Sequence, residues 1–142
     1  MTVEKTSYTV STETSLSFED VVEEARGLLQ EAGYGVLSEI DVAAKLEEKL
    51  GVEREPYRIL GACNPALARQ GLDAEPELGA LLPCNVVVYE LEGRVHVAAV
   101  EPQAMLSVVD NEDLDPIAGQ VREDLSRVVE RVGEIGETGG RR

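Results

Sequence analysis

The side chains that most often carry enzyme chemistry are scarce in this sequence. Its 142 residues include two cysteines, one histidine and no tryptophan. The single histidine, His96, leaves few groups for acid–base catalysis. The chain also lacks a glycine-rich phosphate loop, a nucleophile-elbow serine and a Cys-x-x-Cys pair. These shortages favour a non-enzymatic protein, and they assign neither a catalytic residue nor a cofactor.

Long apolar runs are also missing. No stretch approaches the roughly 18 consecutive apolar residues that a membrane-spanning helix needs. Residues 1–5 carry neither the positively charged nor the apolar segment of a signal peptide. Two cysteines are too few for a disulfide framework. We therefore expect a cytoplasmic protein with reduced thiols and no membrane partner.

Positive charge is the third shortage. The sequence has 13 Lys and Arg against 28 Asp and Glu, which gives a formal net charge of -15. Such a chain repels phosphates and anionic lipids, so we expect it to bind neither nucleic acid nor membranes. The acid excess is explained either by solubility or by adaptation to high salt. An acidic face that recognises a basic partner is a third, weaker interpretation of function.

Short segments rich in β-branched residues predict about five strands. The predicted strands are 6–11, 35–40, 57–63, 85–91 and 94–100. Glu92-Gly93 separates the last two and is typical of a two-residue hairpin turn. Residues 105–109 form a candidate further extended segment.

Apolar residues at helical spacing predict two long helices and two shorter ones. The predicted helices are 18–32, 41–50, 65–71 and 116–132. Ser17, Asp41 and Asn64 each precede a helix and are predicted N-caps, so Asp41 is assigned to capping rather than to a catalytic base. The glycine-rich residues 134–142 are predicted to form a disordered tail.

The order of these elements predicts an α+β fold. We expect a two-layer α/β sandwich in which a mixed sheet of about five strands carries the helices on one face. The length fits a single domain over residues 1–142, with an ordered core from about 6 to 133. The run of valines at 86–88 indicates a strand that is covered on both faces. A second subunit on the other face would supply that cover, which predicts a homodimer.

Two short strings around the cysteines are the most specific features of the sequence. They are Cys63-Asn64-Pro65 and Leu82-Pro83-Cys84-Asn85. Together with their flanks, 57–65 and 81–86, they resemble the domain of unknown function family 302, and the similarity runs from about residue 8 to 132. The resemblance implies a compact α/β domain, often homodimeric, from bacteria or archaea. It implies no established activity.

The cysteines have several possible uses. Cys63 precedes a capped helix, whose partial positive charge lowers a thiol pKa and whose free amides favour an anion, yet a free cysteine is also commonly a small buried side chain. If the strand of Cys63 neighbours that of Cys84, the two are packed thiols, a redox pair or two metal ligands. A metal site would need more ligands, and His96 is the candidate third.

The two asparagines complete the candidate site. Asn64 caps a helix and Asn85 enters a strand, but both amides could bind a polar ligand if they faced one cleft. The candidate ligand-binding residues are therefore Cys63, Asn64, Cys84 and Asn85. The preferred interpretation is a non-enzymatic protein that binds a small molecule or a partner at these strand ends. The alternative is a thiol-dependent redox or metal-handling protein that uses Cys63 and Cys84.

Overall fold

The computed structural model describes residues 3–138, with side chains described as far as residue 135. Its strands are β1 (Glu4–Lys5), β2 (Thr9–Thr14), β3 (Gly35–Asp41), β4 (Tyr57–Cys63), β5 (Cys84–Leu91) and β6 (Arg94–Val100). They form one sheet in the order β1-β2-β6-β5-β4-β3. Every neighbouring pair is antiparallel.

Five α-helices accompany the sheet in the described part of the chain. They are α1 (Phe18–Glu31), α2 (Val42–Leu50), α3 (Pro65–Ala74), α4 (Pro102–Leu106) and α5 (Asp115–Thr138). Two 3-10 helices, Pro76–Leu81 and Glu112–Leu114, lie in the connections. No helix within residues 3–138 is both long and apolar enough to cross a membrane.

The α+β fold class is confirmed, but two predicted details are wrong. The sheet has six strands rather than about five, because the two-residue β1 is too short to leave a pattern in the sequence. The sheet is also antiparallel rather than mixed. A helix between consecutive strands often marks a parallel crossover. Here α1 instead carries the chain from β2 to β3 at the far edge of the sheet, so those two strands are not neighbours.

The main core lies between one face of the sheet and the two long helices. Alternate residues of the central strands, such as Val86, Val88 and Val97, are fully buried on this face. They pack in one cluster with apolar residues of α1 and α5. Fully buried side chains from these two helices include Val21 and Leu29 of α1 and Leu125 and Val129 of α5.

The opposite face of the sheet is different. Its residues Ile59, Val87 and Tyr89 are only partly buried and belong to neither buried apolar cluster. The valine run is therefore split by strand alternation, with Val86 and Val88 in the core and Val87 on this second face. The helices thus cover one face, as predicted.

The predicted local signals mostly form as expected. Ser17 Oγ accepts from Asp20 N (3.2 Å), and Asp41 Oδ1 accepts from Ala44 N (2.9 Å). The hairpin turn Glu92-Gly93 has positive φ at both residues, 54° and 81°. Interactions between residues that are close in sequence therefore determine these helix starts and this turn, as predicted.

Two elements, one near each end of the chain, have boundaries that differ from the prediction. The strand expected at 6–11 is β2 at Thr9–Thr14, and Thr12 and Thr14 are buried although they lie beyond the predicted strand. Threonine is β-branched, so it suits a strand once β6 supplies a partner. Helix α5 reaches Thr138, which makes residues 134–138 helical rather than a tail. Residues 139–142 lie outside the described chain.

The prediction of a further extended segment at 105–109 is also wrong. Its first residues belong to helix α4, which begins at Pro102. Glu101 caps this helix, since its Oε2 accepts from Gln103 N at 2.7 Å. Glu101-Pro102 repeats the cap-plus-proline start of Asn64-Pro65, so the signal was present in the sequence.

Candidate functional site

The two cysteine strings meet at one end of the sheet. Strands β4 and β5 are neighbours, and Ala62 lies directly opposite Cys84. Cys63 is therefore the diagonal neighbour of Cys84, with Cα atoms about 6 Å apart from ordinary strand spacing and rise. Both residues are free thiols. A shared site required that the strands of the two cysteines be neighbours, and they are.

The strand register offsets the two cysteines rather than pairing them directly. Cys84 lies opposite Ala62, whereas Cys63 is the last residue of β4, one position beyond Ala62. Both residues nevertheless line one cleft, and each is a free thiol. They are therefore close to each other without being bonded.

Cys84 is buried, and burial changes its chemistry. Its side chain belongs to the main apolar cluster. Desolvation, with a smaller contribution from Cys63, raises its pKa from 9.0 to about 11. The thiolate is the reactive form, so at neutral pH Cys84 is a weaker nucleophile than an ordinary cysteine.

The first prediction concerns thiol reactivity. At pH 8 we expect one fast-reacting thiol per folded chain, Cys63, which is only partly buried. Cys84 should react about 100-fold more slowly than an ordinary thiol, since burial raises its pKa from 9.0 to about 11 and lowers its thiolate fraction by about that factor. Titration with a chromogenic disulfide measures both rates. Cys63→Ser should remove the fast phase and Cys84→Ser should leave it unchanged; equal rates in the wild type would contradict the assignment.

The two asparagines have separate roles. Asn64 Oδ1 accepts from Ala66 N (3.1 Å) and Leu67 N (3.2 Å), which confirms it as the N-cap of α3. Asn85 is exposed and follows Cys84 on β5, so it lies on the opposite face of the sheet. The two amides therefore do not face one cleft.

His96 lies away from the cysteines. It is opposite Tyr89 on β5, five residues along the strand from Cys84, or about 16 Å at the usual rise. Its ring stacks on Tyr89 with centroids 4.9 Å apart. No three His, Cys, Asp or Glu side chains among residues 3–138 are grouped to hold a metal ion. The structure does not bring Cys63, Cys84 and His96 together as a ligand set.

Tyr34 is a site residue that the sequence did not reveal. Its side chain is buried, and its hydroxyl donates to Asp124 Oδ2 of α5 at 2.8 Å. Burial, followed by this hydrogen bond, raises the pKa of Tyr34 well above its usual value. The two partners are 90 residues apart in the chain, so no local motif could have identified them.

An apolar cleft lies where these residues meet. It is enclosed by the sheet end, α3, α4 and the first turns of α5, and its volume is about 40 Å³. Its lining residues are Tyr34, Ala62, Cys63, Asn64, Leu67, Ala68, Leu78, Leu82, Cys84, Pro102, Met105, Leu106, Ile117 and Val121. Apart from the thiols, only Tyr34 and Asn64 bring polar side-chain atoms. The Tyr34 hydroxyl donates to Asp124, and the Asn64 Oδ1 accepts from the first amides of α3.

The sequence pattern of residues 8–132 matches the family described as "Domain of unknown function DUF302". The chain belongs to the DUF302 family. A similar solved structure is the "uncharacterized conserved protein DUF302 from Bacillus stearothermophilus", with a TM-score of 0.82 and 28% sequence identity. The alignment covers 87% of this chain and 97% of that one. No curated protein is significantly similar in sequence. The suspected family is thus confirmed, and the description names no activity.

A larger groove in this DUF302 domain lies far from the cysteines. It measures about 440 Å³ and runs between the start of α1 and α2. One of its lining residues is Arg58, whose Nη1 donates to Glu39 Oε2 at 2.9 Å and whose Nη2 donates to Glu19 Oε2 at 3.3 Å. These carboxylates engage both terminal nitrogens of the guanidinium, whereas its buried Nε has no hydrogen-bond partner within the described residues. The groove is lined by further acids. We therefore assign Arg58 to joining β4, β3 and α1, and we place the candidate site at the smaller apolar cleft.

Proposed function

We propose that this DUF302 protein is a non-enzymatic, cytoplasmic homodimer that binds a small apolar ligand in the Cys63/Cys84 cleft. The observation that carries the proposal is the lining of the cleft. Nearly all of its side chains are apolar, and the Tyr34 hydroxyl and the Asn64 Oδ1 already have other partners. Such a surface gains free energy from apolar groups and offers little to a polar ligand.

The size of the cleft limits the ligand. A volume of about 40 Å³ has room for only a few water molecules, far below the several hundred Å³ of a drug-sized site. It fits a short alkyl group, either free or at the end of a longer molecule. Met105 is the most adaptable residue of the lining, because an unbranched thioether side chain can change rotamer as a ligand enters.

The alternative function, a thiol-dependent redox or metal-handling protein, receives less support. Cys84 is buried and its pKa is raised, which disfavours the thiolate that redox and metal chemistry need. His96 does not join them. Chemistry on Cys63 alone is the form of the alternative that agrees with these contacts. Activity or metal content that disappears in Cys63→Ser but persists in Cys84→Ser would favour it.

The second prediction tests the cleft by filling it. Ala68 lines the cleft, whereas Ala66 on the same helix is exposed and does not. Ala68→Leu should abolish binding of xenon and of short primary alcohols, and Ala66→Leu should leave both unchanged. Wild-type affinity should rise about fourfold for each added methylene until the alkyl chain exceeds the cleft.

Binding of xenon is followed by the shifts of methyl NMR signals, and alcohol binding by calorimetry. Ala68→Leu and Ala66→Leu both lie in α3 and add the same side-chain volume, so they form a matched pair. Equal binding by both variants, or affinity independent of alkyl length, would contradict the proposed ligand. Thermal unfolding of each variant shows whether loss of binding reflects loss of the fold.

A further inference from the structure

The second face of the sheet carries an ordered apolar and aromatic surface. We call it the open face. One cross-strand row consists of Ile40, Ile59, Val87, Ala98 and Ser11, and the next consists of Tyr57, Tyr89, His96 and Glu13. In the second row the rings are stacked, with centroids 5.4 Å apart for Tyr57–Tyr89 and 4.9 Å apart for Tyr89–His96. Tyrosines and aliphatic residues in this arrangement are typical of protein interfaces.

Charge is depleted on the open face. On a chain with a formal net charge of -15, the outward positions of the four central strands include one acid and one arginine, Glu13 and Arg94. These two form an ion pair at 2.8 Å. Glu4 adds a carboxylate only at the margin, on β1. A strongly acidic protein therefore keeps one face almost neutral, which is the pattern expected at the core of an interface.

The edges of the sheet are poor alternatives for association. β1 has only two residues, and β3 has an irregularity between Val36 and Ser38. Very short edge strands and bulges both hinder the addition of another strand. Association is therefore directed to the open face rather than to an edge.

A second copy of this chain is the partner that the open face fits best. Two-fold symmetry sets the same patch against itself, so the patch must lack unpaired charge of one sign. The open face meets this condition, and the remaining acidic surface does not. The five longer strands, of six to eight residues each, cover roughly 24 by 23 Å. That flat area of about 550 Å² is a lower bound on the accessible surface, because protruding side chains add to it, and a standard interface buries about 800 Å² per partner.

We infer that two copies join through their open faces, with Val87 and Ala98 near the centre. This inference rests on the homodimer of the proposed function and adds which surface forms it. It has a consequence for salt. Two chains of net charge -15 repel each other, so screening should tighten the dimer about tenfold or more between 0.1 and 1 M NaCl.

The experiment places a charge of either sign at the centre of the open face. Val87→Asp and Val87→Lys should each weaken the dimer at least 100-fold in analytical ultracentrifugation, because a buried unpaired charge is costly. Long-range repulsion alone would make Val87→Lys dimerise more tightly. Val108→Asp is the matched control, since Val108 is 76% exposed outside this face, and its dimer should be unchanged.

The outcomes separate the two proposals. A wild-type chain that stays monomeric at about 1 mM in 1 M NaCl overturns the homodimer itself. A dimer that survives both Val87 variants keeps the homodimer and overturns the assignment to the open face. If the variants do not fold, dilution of the wild-type dimer until it dissociates into monomers provides the test instead. The methyl NMR signals of Val87 and Ala98 should then shift on dissociation while that of Val108 stays fixed, and the reverse result overturns the inference.

Discussion

Raising the pH from 8 to 11 is expected to cost the folded domain about 2 kcal/mol of stability through Cys84 alone. Burial raises the pKa of this thiol from 9.0 to about 11. Between these values the unfolded chain releases the proton and the folded chain keeps it. The stabilising contribution is therefore complete below pH 9 and is lost as the pH rises to about 11.

Tyr34 should add to this loss at the upper end of the range. Its pKa is also raised by burial and by the hydrogen bond to Asp124, so the unfolded chain ionises first above pH 10. Urea denaturation at pH 8, 9, 10 and 10.5 measures the free energy of unfolding. Cys84→Ala should flatten the decline in the free energy of unfolding between pH 9 and 10. Tyr34→Phe should flatten the steeper decline above pH 10.

Cys63→Ser serves as the control for the alkaline series. It removes the other thiol and should leave the slope between pH 9 and 10 nearly unchanged, because Cys63 is only the smaller of the two causes that raise the pKa of Cys84. A wild-type free energy of unfolding that is constant from pH 8 to 10.5 would show that Cys84 titrates normally. The proposed apolar character of the cleft would then lose one of its supports.

Features that depend on neighbouring residues were predictable from the sequence. The N-caps Ser17, Asp41 and Asn64 form as expected, since each bonds a backbone amide two or three residues away. The two long helices follow from apolar spacing alone. The hairpin of β5 and β6 follows from Glu92-Gly93. The family was also recognisable, because its strings are contiguous in the chain.

Features that depend on distant partners were not predictable. Thr12 and Thr14 look like turn residues by composition, but pairing with β6 places their side chains in the core. The adjacency of Cys63 and Cys84 could be proposed, yet only the tertiary packing shows that Cys84 is buried and that its pKa is raised. Strand alternation separates Asn85 from the cleft. Tyr34 acquires its role from a residue 90 positions away.

The two signature strings also have a packing explanation, which leads to the last prediction. Gly61 lies two residues before Cys63 and contacts the other string through Pro83. A Cβ at Gly61 would lie 2.8 Å from Pro83 Cγ and 2.3 Å from Ser38 Oγ. The serine hydroxyl can rotate away, but the proline ring is rigid. Gly61 is therefore required for β4 and the Leu82-Pro83-Cys84 segment to approach closely.

Gly61→Ala should lower the free energy of unfolding by about 2–3 kcal/mol, the cost of overpacking a close contact. Gly27→Ala is the matched control: Gly27 lies within α1 with nothing within 4 Å of the new Cβ, so it should raise stability by about 0.5–1 kcal/mol. Urea denaturation of both variants gives the comparison. If Gly61→Ala is as stable as the wild type, close packing does not explain why glycine and proline occur together. If it is destabilised while Cys63 keeps its fast thiol reaction, the strings hold the sheet end together independently of cysteine chemistry.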